Sequence, residues 1–172
     1  LGGTTFTPQG LSDIVIFGLD PMNGNPSNVT RIGGPGEDTG RIFMFPDGDF
    51  LLVGETDSTI DFGGAVGVLG PIIDDRGAFV VRASPNAVGK WGKVIEYANL
   101  YGFSPPFVWP TIEGDEVFLT TRFEYPLRGD VCPFFGGNTR NLALTRVSAS
   151  GAELWSACTQ GNVTQRGFAV DA

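Results

Sequence analysis

The sequence predicts an all-β protein, and three observations support that prediction. Glycine (26) and proline (12) are abundant among the 172 residues, and such a composition favours many turns over long helices. The apolar runs are short and rich in β-branched and aromatic residues, as is typical of strands. The same order of strands and turns recurs along the chain, which indicates a repeat protein. The length is sufficient for one domain with a sizeable core.

The clearest single element is a β-hairpin over residues 40–56. Its arms, 42–45 and 50–53, are apolar and too short for helices, and the sequence Pro46-Asp47-Gly48-Asp49 lies between them. Proline presets φ, and the Asp-Gly pair accepts the positive φ of a tight turn. Because both arms are apolar almost continuously, we expect them to be buried on both faces of their sheet. A small sheet that lies between two similar sheets would have this pattern.

A repeat organises the rest of the chain. Residues 13–21, 77–85 and 141–149 align with one another at steps of 64 residues, and Trp91 and Trp155 keep the same spacing. We expect these tryptophans to pack between repeats rather than to bind a ligand. Each repeat is interpreted as four strands, A to D. The predicted strands are 13–19, 28–33, 41–46, 50–55, 77–83, 90–97, 106–112, 116–122, 140–147, 152–159 and 167–171.

Charge and composition exclude several classes of function. Eleven basic and nineteen acidic residues give a net charge of −8, which argues against a nucleic-acid partner or an anionic membrane surface. No apolar run is long enough to insert into a membrane. The chain contains no histidine, so Ser-His-Asp and Cys-His nucleophiles, histidine metal ligands and a histidine general base are all excluded.

The region from Thr30 to Ser84 resembles the SBBP-type β-propeller repeat. That family has a glycine-rich turn followed by Asp, an apolar strand ending in Asp-x-x-Gly-Asn, a second strand ending in Thr-Gly, and then Asp-x-Phe-Val-x-Lys. The resemblance covers nearly the whole chain but is weaker over 99–109, where Pro105, Pro106 and the following Pro110 disfavour a regular strand. The matching positions are Gly33, Gly34, Gly36, Asp38, Asp47, Gly48, Asp49, Gly54, Phe79, Val80 and Trp155.

The resemblance implies a β-propeller, which typically needs about four to eight blades to close. It divides the chain into the end of one blade (1–39), two whole blades (40–97 and 98–159) and the start of another (160–172). We therefore expect a longer natural chain, or other protein chains that supply the missing blades. The implied function is a non-catalytic scaffold or interaction module, located outside the cell or on its surface. The alternative is a propeller that binds or cleaves carbohydrate.

Candidate ligand-binding residues come from the long connections between strands B and C, at 57–76 and 124–139. Alternating strand direction places these connections on one face together with the turn at 34–39, and long loops on one face of a rigid scaffold commonly carry function. We predict that face to include Glu37, Asp38, Asp57, Asp61, Asp74, Asp75, Arg76, Glu124, Arg128 and Asp130.

Each candidate also has a structural interpretation. Asp74 and Asp75 can supply oxygen ligands to Ca²⁺, although adjacent carboxylates more often point apart. Asp57 and Asp61 would suit glycoside hydrolysis, which needs two carboxyl groups across one bond, but solvated loop charges are the simpler interpretation. The turn at 33–38 has backbone amides that can hold an anion, yet it precedes a strand rather than a helix, which favours a tight turn. No metal ligand set is predicted beyond the Ca²⁺ candidate.

The two cysteines, Cys132 and Cys158, either form one disulfide bond or remain reduced. Cys132 lies in the second B–C connection, and Cys158 lies at the end of a strand D that runs toward the same face. They can therefore approach each other across the intervening 26 residues, and we predict a disulfide bond between them. Such a bond suits an oxidising, extracellular compartment, whereas two free thiols would suit a reducing cytoplasm.

Overall fold

The computed structural model describes residues 5–70, 77–96, 107–123 and 141–159. In these ranges every regular element is a β-strand and every pair of neighbouring strands within a sheet is antiparallel, so the all-β prediction is confirmed. The described ranges therefore contain no helix that could cross a membrane.

Three sheets follow one another along the chain. The first sheet pairs β1 (Ile14–Leu19) with β2 (Pro26–Ile32). The middle sheet has the order β3 (Asp38–Met44), β4 (Phe50–Thr56), β7 (Gly77–Ala83) and β8 (Gly89–Glu96). The third sheet has the order β9 (Phe107–Glu113), β10 (Glu116–Phe123), β11 (Asn141–Val147) and β12 (Glu153–Thr159). A short hairpin of β5 (Ile60–Asp61) and β6 (Val68–Leu69) lies in the connection between β4 and β7.

The sheets stack face to face around two apolar clusters. In the first cluster, Ile16 and Ile32 of the first sheet pack against one face of the middle sheet, at Phe79 and Val81. In the second cluster, the opposite face of the middle sheet packs against the third sheet. The second cluster contains Phe45, Leu51, Val53, Val80 and Trp91 together with Val117, Leu119 and Val147.

The central hairpin joins β3 to β4 as predicted, and Gly48 takes a φ of 89° in its turn. Burial on both faces is correct for β4, whose residues Phe50 to Val53 are all buried, but wrong for β3. On β3, Ile42 and Met44 are 43% and 63% exposed. The reason is position: β3 lies at the edge of the middle sheet, whereas β4 lies inside it and between two other sheets.

The predicted core is largely confirmed. Five of its members are buried, namely Phe50, Leu52, Phe79, Val81 and Phe118. The other three, Phe43, Leu142 and Leu144, are half-buried. The B–C connection adds core residues that the sequence did not indicate, because Ile60 and Phe62 are buried in the first cluster. The Phe62 ring meets Phe79 edge to face at 5.0 Å between centroids.

Candidate functional site

The predicted ligand-binding face is only partly within the described residues. Glu37 and Asp61 are exposed, Asp57 is half-buried and Asp38 is buried at 2% exposure. The remaining candidates lie outside the described ranges, as does one of the predicted disulfide partners. These residues are Asp74, Asp75, Arg76, Glu124, Arg128, Asp130 and Cys132. Cys158, on β12, is disulfide-bonded.

The glycine-rich turn at 33–37 is packed against the connection that follows β4. A β-carbon at Gly34 would collide with the carbonyl oxygen of Thr59, so only glycine fits there without a backbone shift. Side chains of the protein itself occupy three backbone amides of the turn. These hydrogen bonds run from Gly34 to Asp38 Oδ2 (2.7 Å), from Gly36 to Ser58 Oγ (3.1 Å) and from Glu37 to Asp57 Oδ1 (2.7 Å). The turn is therefore built by internal contacts rather than left open to hold an anion.

Asp38 is the one described carboxyl group whose pKa is shifted upward. Its burial raises the pKa, hydrogen bonds from Thr56 and Gly34 oppose that rise in part, and the charges of Asp13 and Asp57 add to it. Within the described residues, Asp38 Oδ1 has no hydrogen-bond partner. A raised pKa is one mark of a catalytic acid, but this side chain is enclosed beneath the glycine-rich turn. Its position fits a structural role in holding the turn.

The opening on this face is a cleft of about 60 Å³. Its lining combines three carboxylates with two threonine hydroxyls: Glu37, Thr39, Glu55, Thr56 and Asp57. Pockets that enclose small-molecule ligands typically measure about 300–1,000 Å³, so this cleft is too small to enclose a sugar ring. Among the residues that the structure describes, no three acidic or cysteine side chains gather where they could hold a metal ion.

At the opposite end of the middle sheet, a cluster of charged side chains surrounds Arg82, and the sequence analysis did not predict it. The Arg82 side chain is only 6% exposed. Its Nε donates to Asp49 Oδ2 at 2.8 Å, and one terminal nitrogen donates to Asp47 Oδ2 at 2.7 Å. Lys90 Nζ binds the same Asp49 carboxylate at 2.6 Å, and the guanidinium lies 4.1 Å above the Phe45 ring. We call these five residues the Arg82 cluster.

The Arg82 cluster also connects two sheets. Arg82 donates to the carboxylate of Asp115, in the β9–β10 turn of the third sheet, at 3.2 Å. Burial alone would raise the pKa of Asp49, but hydrogen bonds and positive charge from Lys90 and Arg82 outweigh it, so the pKa is held below its ordinary value. The Asp49 carboxylate is therefore charged at neutral pH. The arrangement is a buried ion-pair network with its hydrogen bonds satisfied, and such networks hold elements in one register.

The third sheet repeats this arrangement in a more exposed form. Arg146 pairs with Phe118 across the strands as Arg82 pairs with Leu51, and Arg146 Nη2 lies 2.6 Å from Glu116 Oε2. Arg82 faces Trp91 on the neighbouring strand, and Arg146 faces Trp155. The spacing of 64 residues between the arginines was a signal available in the sequence. Their acidic partners were harder to find, since the preceding turns differ in length.

Comparison with known proteins adds no relative. No family model, no curated protein and no solved structure matches this chain significantly. Functional argument therefore depends on the geometry of the described residues.

Proposed function

We propose that this chain is part of a non-catalytic β-propeller scaffold, in which each sheet is a blade and further blades pack on the two outer faces. The proposal is supported by the way in which consecutive antiparallel strands form consecutive sheets that stack face to face. The disulfide bond of Cys158 supports a location outside the cell or on its surface, where oxidising conditions preserve such bonds.

The observation that carries the proposal is a difference in exposure between repeated positions. Three residues on β1 recur 64 residues later on β7: Val15, Phe17 and Leu19 become Phe79, Val81 and Ala83. The β7 set is at most 2% exposed, because the first sheet covers it, whereas the β1 set is 36–59% exposed. We call the surface formed by Val15, Phe17 and Leu19 the leading face. A position that is covered inside the stack is thus left open at its first sheet.

The last sheet of the stack has the complementary feature. Trp91 of the middle sheet is 9% exposed, and its Nε1 donates to the carbonyl oxygen of Ala149 in the third sheet at 2.9 Å. Its counterpart in the third sheet, Trp155, is 39% exposed. Trp155 lies edge to face with Phe118, and Arg146 lies 5.6 Å above the Phe118 ring. We call the surface formed by Phe118, Arg146 and Trp155 the trailing face.

Carbohydrate binding or cleavage remains the second candidate from the sequence, and the described geometry favours it less. A hydrolase needs two carboxyl groups on either side of a bound sugar. The cleft at Glu37 and Asp57 is too small to enclose one, and the carboxyl group with the raised pKa, Asp38, does not line it.

The test is the intact mass and the experimental structure of the natural polypeptide. A propeller scaffold predicts a ring of four-stranded sheets in which the leading and trailing faces are both covered. A natural polypeptide that is a stable 18.2 kDa monomer, with both faces open to water, would contradict the proposal. Incubation with a panel of oligosaccharides, with Glu55→Gln and Asp57→Asn as matched variants, separates the second candidate, because only an enzyme would show hydrolysis that these changes abolish.

A further inference from the structure

The leading and trailing faces are the two halves of an interface that this chain already contains. Between the middle and third sheets, a surface of the trailing type meets a surface of the leading type. Trp91 of the former reaches the β11–β12 turn of the latter. Every copy of the chain carries one open face of each type, so the partner whose chemistry fits an open face is a second copy.

The contact made by Trp91 defines what the open faces would do. The Trp91 ring packs on Gly151, where a β-carbon would lie 2.7 Å from the ring, and its indole N–H donates to the Ala149 carbonyl. Moving this pair along the repeat gives Trp155 as the donor, since it lies 64 residues after Trp91. The corresponding carbonyl in the β1–β2 turn belongs to Pro21, which lies 128 residues before Ala149.

The β1–β2 turn has a backbone arrangement similar to that of the turn that receives Trp91. In the β11–β12 turn, the Ser148 amide donates to the Ala152 carbonyl at 2.8 Å. In the β1–β2 turn, the Asp20 amide donates to the Asn25 carbonyl at 2.9 Å, which closes a turn that is one residue longer. Met22, at the tip, is 90% exposed. The turn therefore presents free apolar surface beside the Pro21 carbonyl.

We propose that the chain self-associates head to tail, with the trailing face of one copy packed on the leading face of the next; this inference rests on the proposed function. Trp155 covers the β1–β2 turn of the neighbouring copy, and its indole N–H donates to a backbone carbonyl of that turn. Because the two faces differ, the contact is heterologous: repeated copies close into a ring or extend as a filament, according to the rotation between them.

Two variants separate this contact from other kinds of association. Phe17→Asp disables the leading face, and Trp155→Ser disables the trailing face. Each side chain is more than a third exposed, so each variant should keep the native fold. Val68→Asp, on the β5–β6 hairpin and 60% exposed in the wild-type chain, is the matched control for adding a charge at an exposed apolar position.

Sedimentation velocity is measured from micromolar to millimolar chain concentration. The wild type and Val68→Asp should form oligomers whose size grows with concentration, and each face variant alone should sediment as a monomer. An equimolar mixture of the two variants should form a dimer and nothing larger, because one intact face of each type remains. If Phe17→Asp is not folded by circular dichroism, Leu19→Ser on the same face replaces it.

Three outcomes would overturn the inference. They are a wild type that stays monomeric throughout the concentration range, a face variant that associates like the wild type, and a mixture that contains only monomers. A monomeric wild type would leave the proposed scaffold intact if the natural polypeptide forms a ring from further blades of its own. A natural polypeptide without a ring would contradict the scaffold and leave a measured self-association in place. The two failures are therefore distinguishable.

Discussion

Replacing Arg82 by methionine should destabilise the protein strongly. Methionine removes the charge and keeps much of the length, so packing against Phe45 is largely preserved. The change leaves the Asp49 carboxylate, 4% exposed, with Lys90 as its remaining cationic partner. Breaking a buried ion pair by removing one partner costs about 3–5 kcal/mol. Since Lys90 still neutralises part of the charge, we expect the lower end, about 3 kcal/mol.

The repeat supplies the control, Arg146→Met. Arg146 and Glu116 form the corresponding pair, but their side chains are 38% and 33% exposed. An exposed pair contributes about 0–1 kcal/mol. Both variants are measured by urea unfolding, with the slope m compared to verify that the transition is unchanged in kind. Losses of unfolding free energy that agree within about 0.5 kcal/mol, the scatter of featureless surface changes, would refute the view that burial makes the Arg82 cluster important.

The pH dependence of this cluster has a defined sign. The pKa of Asp49 is lowered below its ordinary value of 3.8 in the folded protein. Its stabilising contribution is therefore fully present above about pH 4, and it is lost as the pH falls through the lowered folded pKa. In Arg82→Met the pKa of Asp49 should rise, so the acid unfolding midpoint should move to higher pH. An unchanged midpoint would show that Arg82 does not hold the charge on Asp49.

Two further predictions test the core and the glycine-rich turn. Phe79→Ala should cost about 3–5 kcal/mol, because a fully buried ring is removed, whereas Phe17→Ala at the exposed end of the stack should cost about 0.5 kcal/mol at low chain concentration; equal losses in urea unfolding would contradict the stacking. Asp38 has a raised pKa, so wild-type stability should fall as the pH rises from about 4 through its folded pKa. Asp38→Asn stays neutral and still offers an acceptor to the Gly34 amide. Its stability relative to the wild type should increase from pH 4 to pH 7, and a constant difference would count against a buried charge.

Strand positions could be predicted from the sequence because they depend on local signals. Short apolar runs bounded by turn residues placed ten described strands within three residues of their observed ends. Gly48 was identified as the turn residue for the same reason: its neighbours alone require a positive φ. The eleventh predicted strand, 167–171, lies outside the described residues.

The remaining features depend on contacts between distant segments, which local patterns do not encode. Arg82 and Asp49 are 33 residues apart and meet only after β4 and β7 have paired. The amide of Glu37 is bound by Asp57, which the sequence suggested as a ligand-binding residue and the structure uses to hold a turn. The exposure of Ile42 depended on whether its strand lay at an edge, and strand composition does not reveal that.

The position of the middle sheet, covered on both faces, has a consequence for how the molecule opens. In a stack where each layer touches only its neighbours, the stability of a layer grows with the number of neighbours it has. The middle sheet has two in the described structure, whereas the first and third sheets each have one. Transient local opening should therefore begin at the outer sheets, and backbone amides of β4 and β7 should exchange with solvent most slowly. Protection against exchange thus decreases outward from the centre of the stack.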